Sequence, residues 1–237
     1  MTREEKLAAK KAKLKEKKQQ RRMAAADYRS DLEQRPAAMT PPELSEWLWA
    51  RFTRHRGGKG NVIEQDMFTA ARLAGLPDAG AALAKRVQAA ADAGGWAAAL
   101  REDKGPKGAP TVLVVASAAV AANQAAKVLG PLSPKCRPAK LFARHFKAEE
   151  QVAWLKENRC QVAAGTPNRL LRLCEDDALR LSRVRLVLLH VARDAKQRTL
   201  FDMPETSTDF WKLFVTHLAP QMAREGGARL AAFDDEL

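Results

Sequence analysis

The sequence predicts an α/β fold, a single parallel sheet flanked by helices, preceded by a helical N-terminal region and a basic arm. Three observations carry this expectation. Short apolar runs rich in β-branched residues, Thr111–Ala116 and Val184–Leu189, read as buried parallel strands. Strand-like and helix-like segments alternate roughly every 20–45 residues after Pro110, the rhythm of βαβ units. Residues 1–22 hold ten Lys/Arg against three Glu, so net +7 sits there while the rest of the chain carries +6.

The elements follow in order. The expected layout is a basic arm over 1–36, a helical region over 40–103 and the sheet domain over 110–237. The arm has too little apolar surface to pack and reads as a frayed helix or disordered segment. Thr40 before Pro41-Pro42-Glu43 predicts an N-cap with proline in the first turn and Glu at N3, opening a helix through Phe52 that stops at Gly57-Gly58. Further helices are expected over 64–74 and 79–92, then a loop or linker from Gly94-Gly95 through Lys104–Gly108. After Pro110 the order is strand 111–116, helix 117–129, weak strand 139–143, helix 147–157 and strand 160–164. Helix 167–175, strand 184–189, helix 206–219 and strand 228–233 complete it.

Composition bounds the function. The 237 residues include 41 Lys+Arg and 28 Asp+Glu, a formal net charge of +13, with 46% apolar residues to supply a core. No apolar run approaches the ~18–20 residues of a membrane span. The N-terminus is too charged for a secretory signal. Membrane and secreted classes are therefore excluded as expectations, and a polyanion is the first partner to consider. Cys136, Cys160 and Cys174 are spaced by 24 and 14 and are odd in number, which predicts free thiols in a reducing compartment. His55, His145, His190 and His217 form no metal-binding spacing, so no metal site is expected. Asp234-Asp235-Glu236-Leu237 resembles an ER-retention tail but has no signal peptide to deliver it.

A phosphate-cradling loop needs glycines, a Lys and a Ser/Thr between strand and helix. Gly57-Gly58-Lys59-Gly60 is followed by Asn61 and preceded by a helix, and Leu76–Gly80 lacks the lysine. Neither fits. Gly165-Thr166-Pro167-Asn168-Arg169-Leu170 does join a strand to a helix. Two readings stand: the N–H groups at the helix start, with Thr166 and Arg169, hold a phosphate, or Thr166 is an N-cap with Pro167 at N1 while Arg169 is solvated.

Val112–Ala116, Gly165–Leu170 and Leu186–His190 resemble the first RecA-like domain of DEAD-box RNA helicases. His190-Val191-Ala192-Arg193 stand where the Asp-Glu-Ala-Asp box would be. The resemblance thus implies a fold without the carboxylates that serve Mg²⁺ and the attacking water in phosphoryl transfer. A closer resemblance rests on Lys140–His145, Gly165–Arg169 and the string Arg193-Asp194-x-Lys196-Gln197-Arg198-x3-Asp202-x-Pro204-Glu205. It is to the eukaryotic Cms family, degenerate DEAD-box-like proteins of the small-subunit processome. It spans about 110–233, and more loosely 26–60. Asn168 replaces the family's usual glycine, and Asn tolerates a left-handed turn.

The resemblance implies a non-catalytic ribosome biogenesis factor in the nucleus and nucleolus. Its expected partners are pre-rRNA and processome proteins, with no cofactor, no small-molecule substrate and no membrane. RNA contacts are expected from Lys10, Lys11, Lys13, Lys15, Lys17, Lys18, Arg21 and Arg22 of the arm, together with Thr166, Asn168 and Arg169. The arm could alternatively be a solubilising tail. Arg193, Asp194, Lys196, Gln197, Arg198, Asp202, Pro204 and Glu205 read either as a solvated charged loop or as a protein-docking surface at the C-terminal edge of the sheet. The alternatives in function are a divergent ATP-binding helicase-like enzyme and a generic RNA-binding module. The 14 aromatics mostly fall on apolar faces (Trp47, Phe52, Trp154, Trp211, Phe214), as expected of core packing rather than base stacking.

Overall fold

The computed structural model describes residues 34–78, 80–144 and 146–235. The lysines and arginines expected to form the RNA-binding arm lie outside the described residues.

Helix α1 (Pro41–His55) starts as its sequence dictates. The Glu43 carboxylate accepts from the Thr40 amide at 2.8 Å and from its hydroxyl at 2.7 Å. Between it and the sheet, one long helix over 64–74 does not form. The chain makes α2 (Val62–Asp66) and a 3-10 turn (Ala70–Arg72), and Leu73 is then drawn into a parallel bridge with Leu230. The Ala74 amide donates to the Leu230 carbonyl at 2.9 Å, so a sheet edge takes backbone groups that a helix would have used. Helix α3 (Leu83–Ala93) begins later than 79, since Asp78 adopts φ 52° and Ala82 is extended. The expected linker after it contains a further helix, α4 (Ala97–Arg101).

The sheet comprises β1 (Val112–Val115), β2 (Ala139–Leu141), β3 (Val162–Gly165), β4 (Leu186–His190) and β5 (Arg229–Phe233). Its order is β2-β3-β1-β4-β5, parallel throughout, with Val115 level with Gly165 on one side and Leu189 on the other. This is the RecA-like α/β arrangement. Strands β3 and β4 each begin two residues later than expected. The residue before β3, Gln161, accepts through its carbonyl from the Thr111 and Val112 amides, and its side chain accepts from Thr111 Oγ1 at 2.8 Å and donates to the Glu102 carbonyl at 2.7 Å.

Between the strands run α5 (Ala119–Leu129), α6 (Ala148–Glu157), α7 (Pro167–Glu175) and α8 (Pro204–Leu213). The chain continues through a π-helical turn (Phe214–Leu218) into α9 (Ala219–Met222). Pro220 explains the wide turn. In an α-helix its ring would meet the Thr216 carbonyl, and one extra residue per turn relieves that clash.

Alternation along the strands divides the interior. Leu113, Val115, Ala163, Val187, Leu189, Leu230 and Ala232 face one layer, with α1, α7 and α8. Val112, Val114, Val162, Leu186, Leu188 and Phe233 face the other, with α3 and α5. The first layer is aromatic: Phe68 stacks on Phe214 at 5.0 Å, and Phe52 meets Trp211 edge-on at 5.3 Å. The second relies on Ala91, Ala122, Ala125 and Ala126, all essentially inaccessible, which brings its helices close to the strands. Trp47, Leu48 and Phe52 of α1 thus belong to the same core as the strands, and the described residues from Pro36 onward form one compact unit.

Candidate docking edge of the sheet

Open α/β sheets place their ligands beyond the carboxyl ends of the strands. Here that edge is formed by Ala116, Phe142, Thr166, Val191 and Asp234, the residues that follow the five strands.

Thr166 is extended at the N-cap position and Pro167 occupies the first turn of α7, but the Thr166 side chain makes no capping hydrogen bond. Gly165 is obligatory: a Cβ there would lie 2.3 Å from the Leu141 carbonyl. Asn168 is exposed in the first helical turn and needs no left-handed geometry, correcting that expectation. Its Nδ2 donates to Asp209 Oδ2 of α8 at 3.1 Å. Arg169 is not solvated; it is 8% exposed. Its Nη1 donates to Gln151 Oε1 at 2.6 Å and to the Phe146 carbonyl at 3.2 Å. Gln151 in turn donates to the carbonyls of Lys140 and Phe142 at 2.8 and 3.2 Å. One buried amide therefore ties β2 and α6 to the motif arginine. Burial pushes the Arg169 pKa down, with the neighbouring Arg172 adding to the effect.

The 193–205 segment folds on one carboxylate. Asp194 Oδ1 accepts from the amides of Lys196 and Arg198 at 2.8 and 2.9 Å, and Oδ2 accepts from Arg198 Nε and Nη2 at 3.0 and 2.7 Å. The Arg198 side chain, then its amide, hold the Asp194 carboxyl below the usual carboxylate range. Arg193 Nη1 donates to the Gln197 carbonyl at 3.0 Å, and Gln197 takes φ 60°. Asp202 accepts from the Thr199 amide at 2.7 Å and hydroxyl at 2.8 Å. Asp194, Arg198 and Asp202 thus shape the loop, while Lys196, Gln197, Pro204 and Glu205 are exposed on it. A groove of about 180 Å³ runs between its end (Phe201, Asp202, Pro204) and the last turns of α1 (Arg51, Arg54, His55). The Asn168–Asp209 bond brings the 166–169 motif against the same helix, α8, that this loop enters.

At the ends of β4 and β5 the chain fills its own crevice. His190 is 8% exposed, its ring 5.0 Å from that of Phe233, and its Nδ1 has no partner among the described residues. Burial pushes its pKa down, against the opposing pull of Asp234 and Asp235. Arg86 of α3, 3% exposed, places Nη1 3.2 Å from both carboxylate oxygens of Asp235. Sequence reasoning missed Arg86 and Gln151. The usable signal was a polar residue on an apolar stripe: Leu83-Arg86-Val87 in one helix, Ala148-Gln151-Leu155 in the other. Among the described residues no group of three or more His, Cys, Asp or Glu could hold a metal ion, and no helix is long and apolar enough to cross a membrane.

Protein CMS1 of Chaetomium thermophilum is 41% identical over 115 residues, 47% of this chain and 46% of that protein. Protein CMSS1 of Danio rerio is 35% identical over 123 residues, 52% of this chain and 42% of that protein. The matches thus span less than half the length of these relatives. The RNA helicase Prp28 from Chaetomium thermophilum bound to ADP is similar at 14% identity and a TM-score of 0.43, covering 80% of this chain and 43% of that one. Residues 88–230 match the profile described as CMS1, U3-containing 90S pre-ribosomal complex subunit, and the chain belongs to that family.

Proposed function

We propose that this chain is a non-catalytic assembly factor of the early small-subunit pre-ribosome, working in the nucleolus, in which a helicase-like domain serves as a docking module. The carrying observation is that the ligand edge of the sheet is occupied by the protein's own side chains. Arg86 and Asp235 pair there, and His190 packs on Phe233 where a helicase of this fold would hold carboxylates. A site without those carboxylates or a phosphate-loop lysine loses the charge stabilisation that phosphoryl transfer requires. The protein accordingly takes no nucleotide cofactor.

Lys196, Gln197, Pro204 and Glu205 present the docking face to processome proteins, held in shape by Asp194, Arg198 and Asp202. Pre-rRNA phosphates are met by the basic arm and by the start of α7, at half-buried Thr166 and exposed Asn168, with Arg169 as a positioning residue. Family membership supports the ribosomal context.

Sedimentation of the tagged protein from nuclear extract, with the co-purifying RNA sequenced, tests this reading. Co-migration with a very large particle containing small-subunit precursor rRNA is expected. Migration as a free small protein would remove the proposal. ATP binding by the purified chain in equilibrium dialysis would revive the enzyme alternative, and none is expected.

A further inference from the structure

The sheet has a second edge, where the chain enters the strands. The entering segments (102–111, 133–138, 158–161, 176–185 and 223–228) hold nine Lys/Arg and five Asp/Glu. The leaving segments (116–118, 142–147, 166, 191–203 and 234–235) hold five and four. Positive charge of the folded part therefore gathers on the edge opposite the helicase-like motifs. Several acids there are already paired, Glu102 with Lys104 at 3.2 Å and Asp103 with Arg159 at 3.8 Å. Arg185 and Arg229 form no ion pair among the described residues and are exposed; Arg185 donates only to the Gly226 carbonyl.

Between these two arginines and the end of α3 lies a groove of about 630 Å³. Its walls include the Gly94–Gly95 turn, the half-buried Trp96 indole and the Gly226–Gly227 turn. Close approach requires glycine in two places: a Cβ on Gly94 would lie 2.3 Å from Trp96 Nε1, and one on Gly227 2.3 Å from the Gln221 carbonyl. The result is an open channel with main-chain walls, one aromatic face and two cations on its rim.

We propose that this groove is an RNA-contact site for single-stranded RNA, with Arg185 and Arg229 on phosphates and the Trp96 indole against a base. A protein anchor needs an apolar side-chain socket; besides glycine and alanine the walls add only Pro77, the Trp96 indole and Leu186, which is 2% exposed. A nucleotide needs a π face and flanking cations. The inference rests on the reading that this protein touches RNA, and it assigns a contact to the edge opposite Thr166 and Asn168.

The test uses the full chain and a labelled 12-nucleotide oligouridine, titrated by fluorescence anisotropy across a salt series. Arg185→Gln/Arg229→Gln is expected to flatten the slope of log affinity against log salt by about 1.4, some 0.7 per lost single-strand phosphate contact. Trp96→Leu is expected to weaken binding roughly five- to a hundredfold, the span of losing one stacked base, with the slope unchanged. A thermal melt checks that each variant folds, and the double arginine variant stands on its own if Trp96→Leu does not. Lys15→Gln/Lys17→Gln/Lys18→Gln reports on the arm. Loss of binding in the arm variant alone, with both groove variants binding like the parent, overturns the groove and leaves RNA contact by the protein standing. No binding by the parent chain removes both. Groove variants that keep RNA but lose a processome protein in pull-down overturn RNA as the occupant.

Discussion

At the C-terminal edge of the sheet four polar pairs are bonded within the protein: Asp194 to Arg198, Arg169 to Gln151, Arg86 to Asp235, Asp202 to Thr199. At the N-terminal edge Arg185 and Arg229 face solvent beside an open groove. The two edges belong to one sheet and are separated only by strands of three to five residues. In an open α/β fold the first is the usual place for a ligand. Here it is a structural seam, rigid enough to present a surface but with its charges neutralised from within. At the other edge Lys104 and Arg159 are paired, but Arg185 bonds only to the Gly226 carbonyl and, among the described residues, neither it nor Arg229 forms an ion pair. Charge available for a polyanion thus need not sit at the edge where open α/β sheets usually hold a ligand.

The largest expected effect is at the seam. Arg169→Leu leaves the buried Gln151 carbonyl without its donor, which costs about 1–3 kcal/mol. Chemical denaturation should show a lower midpoint with an unchanged slope. An unaltered midpoint would mean that the Arg169 network is incidental and that the arginine can be recruited by a ligand.

Next comes His190. Its folded pKa lies below 6.5, because burial disfavours the charged ring. Above that pH both folded and unfolded chains hold it neutral. As pH falls below 6.5 the unfolded chain binds the proton first, so stability declines toward the folded pKa. His190→Phe removes this dependence and also the unpartnered Nδ1, so the variant should outlast the parent in thermal melts at pH 5 and differ little at pH 8. Parallel pH profiles would break the picture of a closed crevice.

How much of this was legible in the sequence depends on range. Strands β1 and β4 were plain, since continuous runs such as Val-Leu-Val-Val bury both faces of a central strand and have no other stable fate. The helix starts at Thr40 and Thr166 were readable because their signals are local, a Thr40–Glu43 capping box in one and Pro167 at the first position in the other. The 64–74 region was not, because its outcome is decided by Leu230, more than 150 residues away. The same holds for the candidate site. The sequence brought Asp194 and Arg198 within one loop, but it gave no sign that Arg169 would turn inward to a glutamine on α6 or that Arg86 would meet Asp235. Charge placement by edge was equally hidden, since nothing local says which loops end up side by side.

A subtler contrast concerns Asp194. Its depressed pKa means that the hydrogen bonds holding the 194–198 turn are fully present above about pH 4, the ordinary Asp value. They are lost as pH falls through the lower folded value. Asp194→Asn mimics that loss at neutral pH. Faster amide exchange at Lys196 and Arg198 is expected, with little change in the global melt, because the turn lies outside the core. Assembly into particles should fall with it if the exposed Lys196 and Gln197 dock there. Unchanged exchange would show that Arg193 and the backbone hold the turn without the carboxylate.

The smallest expected effect on stability is at the open edge, and its smallness is what makes it diagnostic. Arg229→Gln removes an exposed cation that forms no ion pair among the described residues, so the melt should stay within about 0.5 kcal/mol of the parent. The same substitution should flatten the salt dependence of RNA binding by about 0.7. Arg169→Leu should do the reverse, lowering stability while leaving the salt slope alone, because its guanidinium is engaged inside the protein. Swapped outcomes would mean that the seam, not the groove, carries the exchangeable charge.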